Sequence, residues 1–256
     1  MRQFTIKSTL AILAASVALT SCGGGGGGSA STAPPPPDLG TAEGLWNGMT
    51  ADNRSFSGLV LDDGTYWFLY TAVGNNAVIA GAVQGTGTSS SGQFASSNGL
   101  DFNLEGAGIL NFTMAGTYTE KAQLGGTLTY TSATSSFTST YDTDYDLVPS
   151  LATVAGTYSG QAVTANGVVE MATVTIASGG AITGTSAGGC SFTGSAAPRA
   201  KGNVYDISVT FGGGICDNGT STVTGVAYFV AAQSGLVGTA LNSGRTNGFI
   251  FLGTKP

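Results

Sequence analysis

Carboxylates carry most of the chemical potential of this 256-residue chain, which has no His and only three Cys. Asp142, Asp144 and Asp146 stand at alternate positions in Tyr-Asp-Thr-Asp-Tyr-Asp, the spacing with which a calcium loop presents oxygen ligands. The glycine and distal glutamate of an EF-hand are missing, so these three read as solvated charges at a strand end. Asp62 with Asp63, and Asp101 with Glu105, have the composition of a glycosidase acid and base. Any acidic chain offers such pairs, and they do not by themselves make an enzyme. Serines are abundant, yet no His exists to activate one. The same lack removes the commonest general base and the commonest metal ligand. The glycine runs at Gly188-Gly189 and at 212–214 lack the Lys and helix of a phosphate loop, and read as strand ends and bulges. No enzymatic activity, no metal and no cofactor are expected.

The elements that must hold these residues are short and β-like. From Gly44 onward, apolar blocks are cut by turn residues, and strands are expected at 45–50, 55–61, 65–72, 77–85, 93–97, 109–118, 122–130 and 136–141. Asp62-Asp63-Gly64 and Gly74-Asn75-Asn76 tolerate the positive φ of tight hairpins. Alternation is clear where Leu110, Phe112 and Met114 are set against Asn111 and Thr113. A second set is expected at 156–163, 168–177, 181–186, 190–196, 204–211, 220–231, 235–241 and 248–252, with Asn166-Gly167 as a hairpin signal. Nothing reads as an amphipathic helix. The two sets open alike, with Gly44-Leu45-Trp46-Asn47-Gly48 and Gly156-Thr157-Tyr158-Ser159-Gly160, which suggests an internal duplication.

These observations imply an all-β protein with a first domain over 44–148 and a second over 149–256. Eight short antiparallel strands per set suit a small up-and-down barrel, which leaves no exposed edge; a β-sandwich is the alternative. Tyr66, Trp67 and Tyr70 are expected to serve core packing rather than a surface binding patch. A turn at Lys201-Gly202-Asn203 puts Gly214 opposite Cys190, two positions from Cys216, so a Cys190–Cys216 disulfide is expected. No Cys-x-x-Cys spacing points to redox chemistry.

The start of the chain sets the compartment. Arg2 and Lys7 precede an apolar run over 10–19, and residues 1–21 have the zones of a cleaved secretory signal. The ending Leu19-Thr20-Ser21-Cys22 resembles the lipobox of bacterial lipoproteins. That resemblance implies cleavage before Cys22 and acyl chains on it, whose methylenes contribute about 0.8 kcal/mol each to membrane attachment. Residues 22–43 then form a tether: six glycines, a Ser/Thr/Ala stretch and four prolines, spanning roughly 25 Å as a coil. Such a glycine run after the anchor resembles the tethers of surface lipoproteins of the transferrin-binding-protein type. With Gly23 rather than Asp after the cysteine, resemblance to Gram-negative sorting implies release to the outer membrane.

Removing the signal leaves six basic residues against fourteen acidic ones, so nucleic acid is excluded as a partner for want of clustered Lys and Arg. A membrane-spanning barrel is disfavoured by strands this short and glycine-rich. The expected function is therefore that of an exported, lipid-anchored outer-membrane or cell-surface protein that binds a host or envelope protein through barrel loops or faces. The alternative is a periplasmic inhibitor or small-ligand carrier. Trp46 and Arg245 resemble the lipocalin pattern in which an early Trp packs under a late Arg.

Overall fold

The computed structural model describes residues 39–255. The signal, Cys22 and most of the tether lie outside the described residues. Those from Leu39 onward form one compact unit that contains two closed barrels.

The first barrel uses β1 (Gly44–Thr50), β2 (Ser55–Val60), β3 (Thr65–Ala72), β4 (Asn75–Thr86), the three-residue β5 (Thr88–Ser90), β6 (Gln93–Asn103), β7 (Gly108–Thr119), β8 (Gln123–Tyr130) and β9 (Thr134–Asp142). Neighbours in sequence pair antiparallel, and β5 only folds back on the start of β6. Closure comes from β4 against β6, with Gly81 opposite Asn103, and from β1 against β9, with Leu45 opposite Asp142. Eight strands thus make the wall. The second barrel runs β10 (Gly156–Thr164), β11 (Val169–Ile176), β12 (Ala181–Ser186), β13 (Ser191–Pro198), β14 (Val204–Phe211), β15 (Thr222–Val230), β16 (Gly235–Leu241) and β17 (Gly248–Thr254), and β17 returns to β10. Two antiparallel eight-stranded barrels replace the sandwich alternative.

The strand blocks read from sequence recur with one substantial difference. The block expected to end at Ser97 continues to Asn103, because β6 shifts register between Ser96 and Gly99 and then turns Asp101 inward. A polar residue in an interior position broke the alternation that identifies strands.

Each barrel is closed at the end where its chain enters. In the first, residues 39–43 cross the opening, with Ala42 fully buried and its amide donating to Ser89 Oγ at 3.0 Å. In the second, the single helical turn α1 (Leu151–Val154) does the same, N-capped by Ser150, whose Oγ accepts from the Thr153 amide at 3.1 Å. The similar openings of the two strand sets acquire a physical meaning here. Trp46 Nε1 donates to the Ala42 carbonyl at 2.9 Å, and Tyr158 Oη donates to the Val154 carbonyl at 2.7 Å. Each aromatic, wholly buried, ties the first strand of its barrel to the plug four residues earlier. Burial pushes the Tyr158 hydroxyl up to about 12.

Outside the barrels, a third apolar cluster joins them. Leu45, Leu59, Leu61, Trp67 and Phe102 of the first barrel pack with Val204, Val226, Tyr228 and Leu241 of the second. Strand β3 is therefore buried on both faces, Tyr66 and Phe68 inward and Trp67 and Leu69 toward the neighbouring barrel. Polar clamps complete the junction: Arg199 reaches Asp62 at 2.7 Å and Asp206 at 2.6 Å.

Candidate functional site

In both barrels the turns opposite the plug surround an opening into a cavity. The first barrel holds about 180 Å³, walled by Phe56, Phe68, Phe137, Met114 and Leu128, with Asp101 in its side. Asp101 is buried; its Oδ1 accepts the Tyr70 hydroxyl at 2.8 Å and its Oδ2 the Tyr130 hydroxyl at 3.0 Å. Burial pushes its carboxyl above the ordinary carboxylate range, and these two hydroxyls, with Arg54, recover only part of that cost. Arg54 sits over the Tyr70 ring, 5.5 Å from its centre, and donates to Asp52 at 3.0 Å and Glu105 at 2.8 Å. Burial would raise Asp52 too, but the Thr50 hydroxyl and Arg54 outweigh it and hold that carboxyl low.

The second barrel encloses about 250 Å³, larger and more apolar, lined by Val174, Ile182, Ile207 and Phe251 among others. Its mouth is formed by the turn after β10, the turn before β13 and the long loop 212–221, and there, among the described residues, the polar side chains of the lining converge: Thr164, Glu170, Ser186, Asp217 and Asn218. The loop is shaped by Gly213 and Gly214, at φ +80° and +65°, and is held to the β12–β13 turn by the Cys190–Cys216 disulfide, with 4.7 Å between the Cα atoms. In the β13–β14 ladder the last pair is Phe192 with Phe211; Cys190 lies two residues before it and Cys216 five after it, so the disulfide joins two loops at the rim rather than two strand positions.

The acidic candidates have structural duties. Asp142 caps the 3-10 turn Thr143–Asp146, its Oδ1 accepting the Asp144 amide at 2.9 Å, while its Oδ2 takes Asn47 Nδ2 at 2.7 Å. Asp146 takes Lys121 Nζ at 2.6 Å and the Tyr141 hydroxyl at 2.9 Å, and these bonds hold its carboxyl low. Two of the three carboxylates expected to be solvated are thus paired. Among the described residues no three His, Cys, Asp or Glu side chains are grouped to hold a metal. Asp62 and Asp63 go to Arg199, at 2.7 and 3.6 Å. Asp101 and Glu105 part company, one to two tyrosines and the other to Arg54.

Tyr66 and Trp67 are packed, and Tyr70 lines the cavity. The lipocalin-like pairing does not form. Trp46 is met edge-on by Tyr141, whereas Arg245 spends its guanidinium on the carbonyls of Gln84 at 2.8 Å and Asn98 at 3.0 Å, clamping the second barrel to the first.

Sequence reasoning passed over two features. Gly184-Thr185-Ser186-Ala187-Gly188 carries the Gly-x-Ser-x-Gly pattern of a nucleophile elbow. Here Ser186 ends β12, a turn rather than a helix follows, its Oγ accepts from the Cys190 amide at 3.3 Å, and the chain has no His. The other is Asn218, whose only sequence signal is its place two residues after a disulfide cysteine.

No family model and no curated protein matches the chain. Among solved structures, a variant of the vaccine antigen transferrin binding protein B (TbpB) from Haemophilus parasuis is similar over 80% of this chain and 66% of that one, at 9% identity and TM-score 0.29. The chain thus spans just under two thirds of that protein. A candidate outer membrane protein from Bacteroides fragilis is similar over 85% and 97%, at 16% identity and TM-score 0.24. At these TM-scores neither similarity bears on what the protein does.

Proposed function

We propose that the protein is an exported binding protein without enzymatic activity, held at the outer membrane by acyl chains on Cys22 and displayed so that its barrel ends meet a host or envelope protein. The polarity of the first barrel supports this reading. Its chain enters at the end crossed by residues 39–43, where the Tyr118 hydroxyl donates to the Gly40 carbonyl at 2.8 Å, and β1 runs from there to the far rim. At that rim the neighbouring β3–β4 and β6–β7 hairpins hold Val73, Val78 and Ile109 in water, 55%, 48% and 41% exposed. Apolar side chains gathered on hairpin tips mark a contact surface. A tether ending at the opposite end of the barrel turns these tips away from the bilayer.

The tests address anchor and rim separately. Cys22→Ser is expected to move the protein out of the membrane fraction, and protease added to intact cells to digest the wild-type chain. A photo-crosslinking amino acid in place of Ile109 is expected to give one reproducible adduct, and one in place of Thr183, on the second barrel, none. Retention of the serine variant in membranes overturns the anchor, and equal adducts at both positions overturn the rim as the contact surface.

A second reading is a lipid-anchored carrier of a small ligand; what supports it is the apolar cavity of about 250 Å³ in the second barrel.

A further inference from the structure

Two oxygens at the mouth of the second barrel have no hydrogen-bond partner among the described residues. Asn218 is 5% exposed; its Nδ2 donates to the Gly248 carbonyl at 3.3 Å and its main-chain carbonyl accepts the Ser221 hydroxyl at 2.6 Å, yet its Oδ1 has no partner. Thr164 Oγ1 is likewise buried and unpaired. The two belong to one place. The Ala165 amide donates to the same Gly248 carbonyl, also at 3.3 Å, and both side chains line the cavity. Buried polar atoms are almost always paired, so two orphans on side chains that line one apolar cavity point to a missing donor. A carboxamide oxygen accepts and cannot donate, so the missing group must carry N–H or O–H.

Charge narrows the head group further. Glu170 and Asp217 line the cavity and no Lys or Arg does. A carboxylate head would therefore meet two like charges and an acceptor oxygen, with no cation to hold it. The volume limits the body: 250 Å³ lies above the engineered cavity of about 150 Å³ that takes benzene and below drug-sized pockets of about 300 Å³ and more. We propose that the second barrel binds a small amphiphile, its apolar body between Val174, Ile182, Ile207 and Phe251 and its hydroxyl or ammonium head on Asn218 Oδ1 and Thr164 Oγ1. This inference rests on the carrier reading.

The test compares 1-octanol, octylamine and octanoate, which share one eight-carbon chain and differ in head group. The full lipidated chain in nanodiscs, labelled at isoleucine δ1 methyls, is titrated with each. Octanol and protonated octylamine are expected to shift Ile182 and Ile207 saturably, leaving Ile79 and Ile109 of the first barrel in place, while octanoate shifts none of them. Thr164→Val, close in shape to the wild type, and Asn218→Leu are each expected to weaken octanol about tenfold, the loss of one hydrogen bond to a buried group. Unmoved Ile79 and Ile109 signals show that a variant is folded. Octanoate binding as tightly as octanol overturns the head-group inference while the carrier reading stands. If no compound moves the cavity methyls, the carrier reading falls with it.

Discussion

At Asp101 stability and pH are coupled through burial. Its carboxyl is held above the ordinary value of 3.8 by burial, so the folded chain binds that proton more tightly than the unfolded one. The stabilisation it contributes is fully present below 3.8 and is lost as pH rises through the folded value. Asp52, Asp62 and Asp146, all held low by their partners, act in the opposite direction and lose their contribution as pH falls. Asp101→Asn removes one titration and leaves one of the two tyrosine hydroxyls without its acceptor, a cost that does not change with pH. Denaturant midpoints at pH 4 and pH 7 are expected to shift in favour of the variant on going to pH 7. An unchanged difference between the two proteins would show that Asp101 titrates alike in both states.

Strands and loops explain why some of the molecule was legible in the sequence. Hairpins such as Asn166-Gly167 and half-buried strands such as β14, with Tyr205, Ile207 and Val209 inward, declare themselves by turn chemistry and alternation. Strands covered on both faces do not alternate. Tyr66 to Leu69 is a continuous apolar run because one face fills the first barrel and the other meets the second, and nothing in the run says which. Asp101 hid half of β6, since an interior carboxylate is legible only once the tyrosines opposite it are known. The cavity mouth was least legible, because Thr164 at the end of β10 and Asn218 in the 212–221 loop stand 54 positions apart in sequence.

The disulfide at that mouth was foreseen from hairpin geometry, and its effect follows from loop length. Closing 26 residues restricts the unfolded chain by about 3.5 kcal/mol in the chain-entropy account. Replacing both cysteines with serine is expected to lower the unfolding free energy by about that amount. The same double variant should weaken octanol binding, because Asn218 stands two residues from the freed Cys216. Full stability in the double variant would overturn the chain-entropy account for this loop.

Over the whole molecule, the consequential feature is that two barrels, each with its own plug, core and cavity, share a third apolar cluster. Trp67 is central to it, 5% exposed on the outer face of β3 against the second barrel. Truncating a buried tryptophan costs about 3–5 kcal/mol, since the lost contacts leave a cavity that rigid sheets cannot collapse. That cost falls on the junction rather than on either barrel interior, where Trp46 and Tyr158 still tie strands to plugs. The wild-type chain is therefore expected to unfold in one transition and Trp67→Ala in two. The chain has only two tryptophans, so in Trp67→Ala the fluorescence of Trp46 reports on the first barrel alone. Fluorescence and far-ultraviolet circular dichroism should give coincident denaturation curves for the wild type and separated ones for the variant. Coincident curves in both would mean that Arg199 and Arg245, which bridge to Asp62 and to the Gln84 and Asn98 carbonyls, suffice to keep the barrels one cooperative unit. In that event Arg199→Ala in the Trp67→Ala background is the variant expected to separate them.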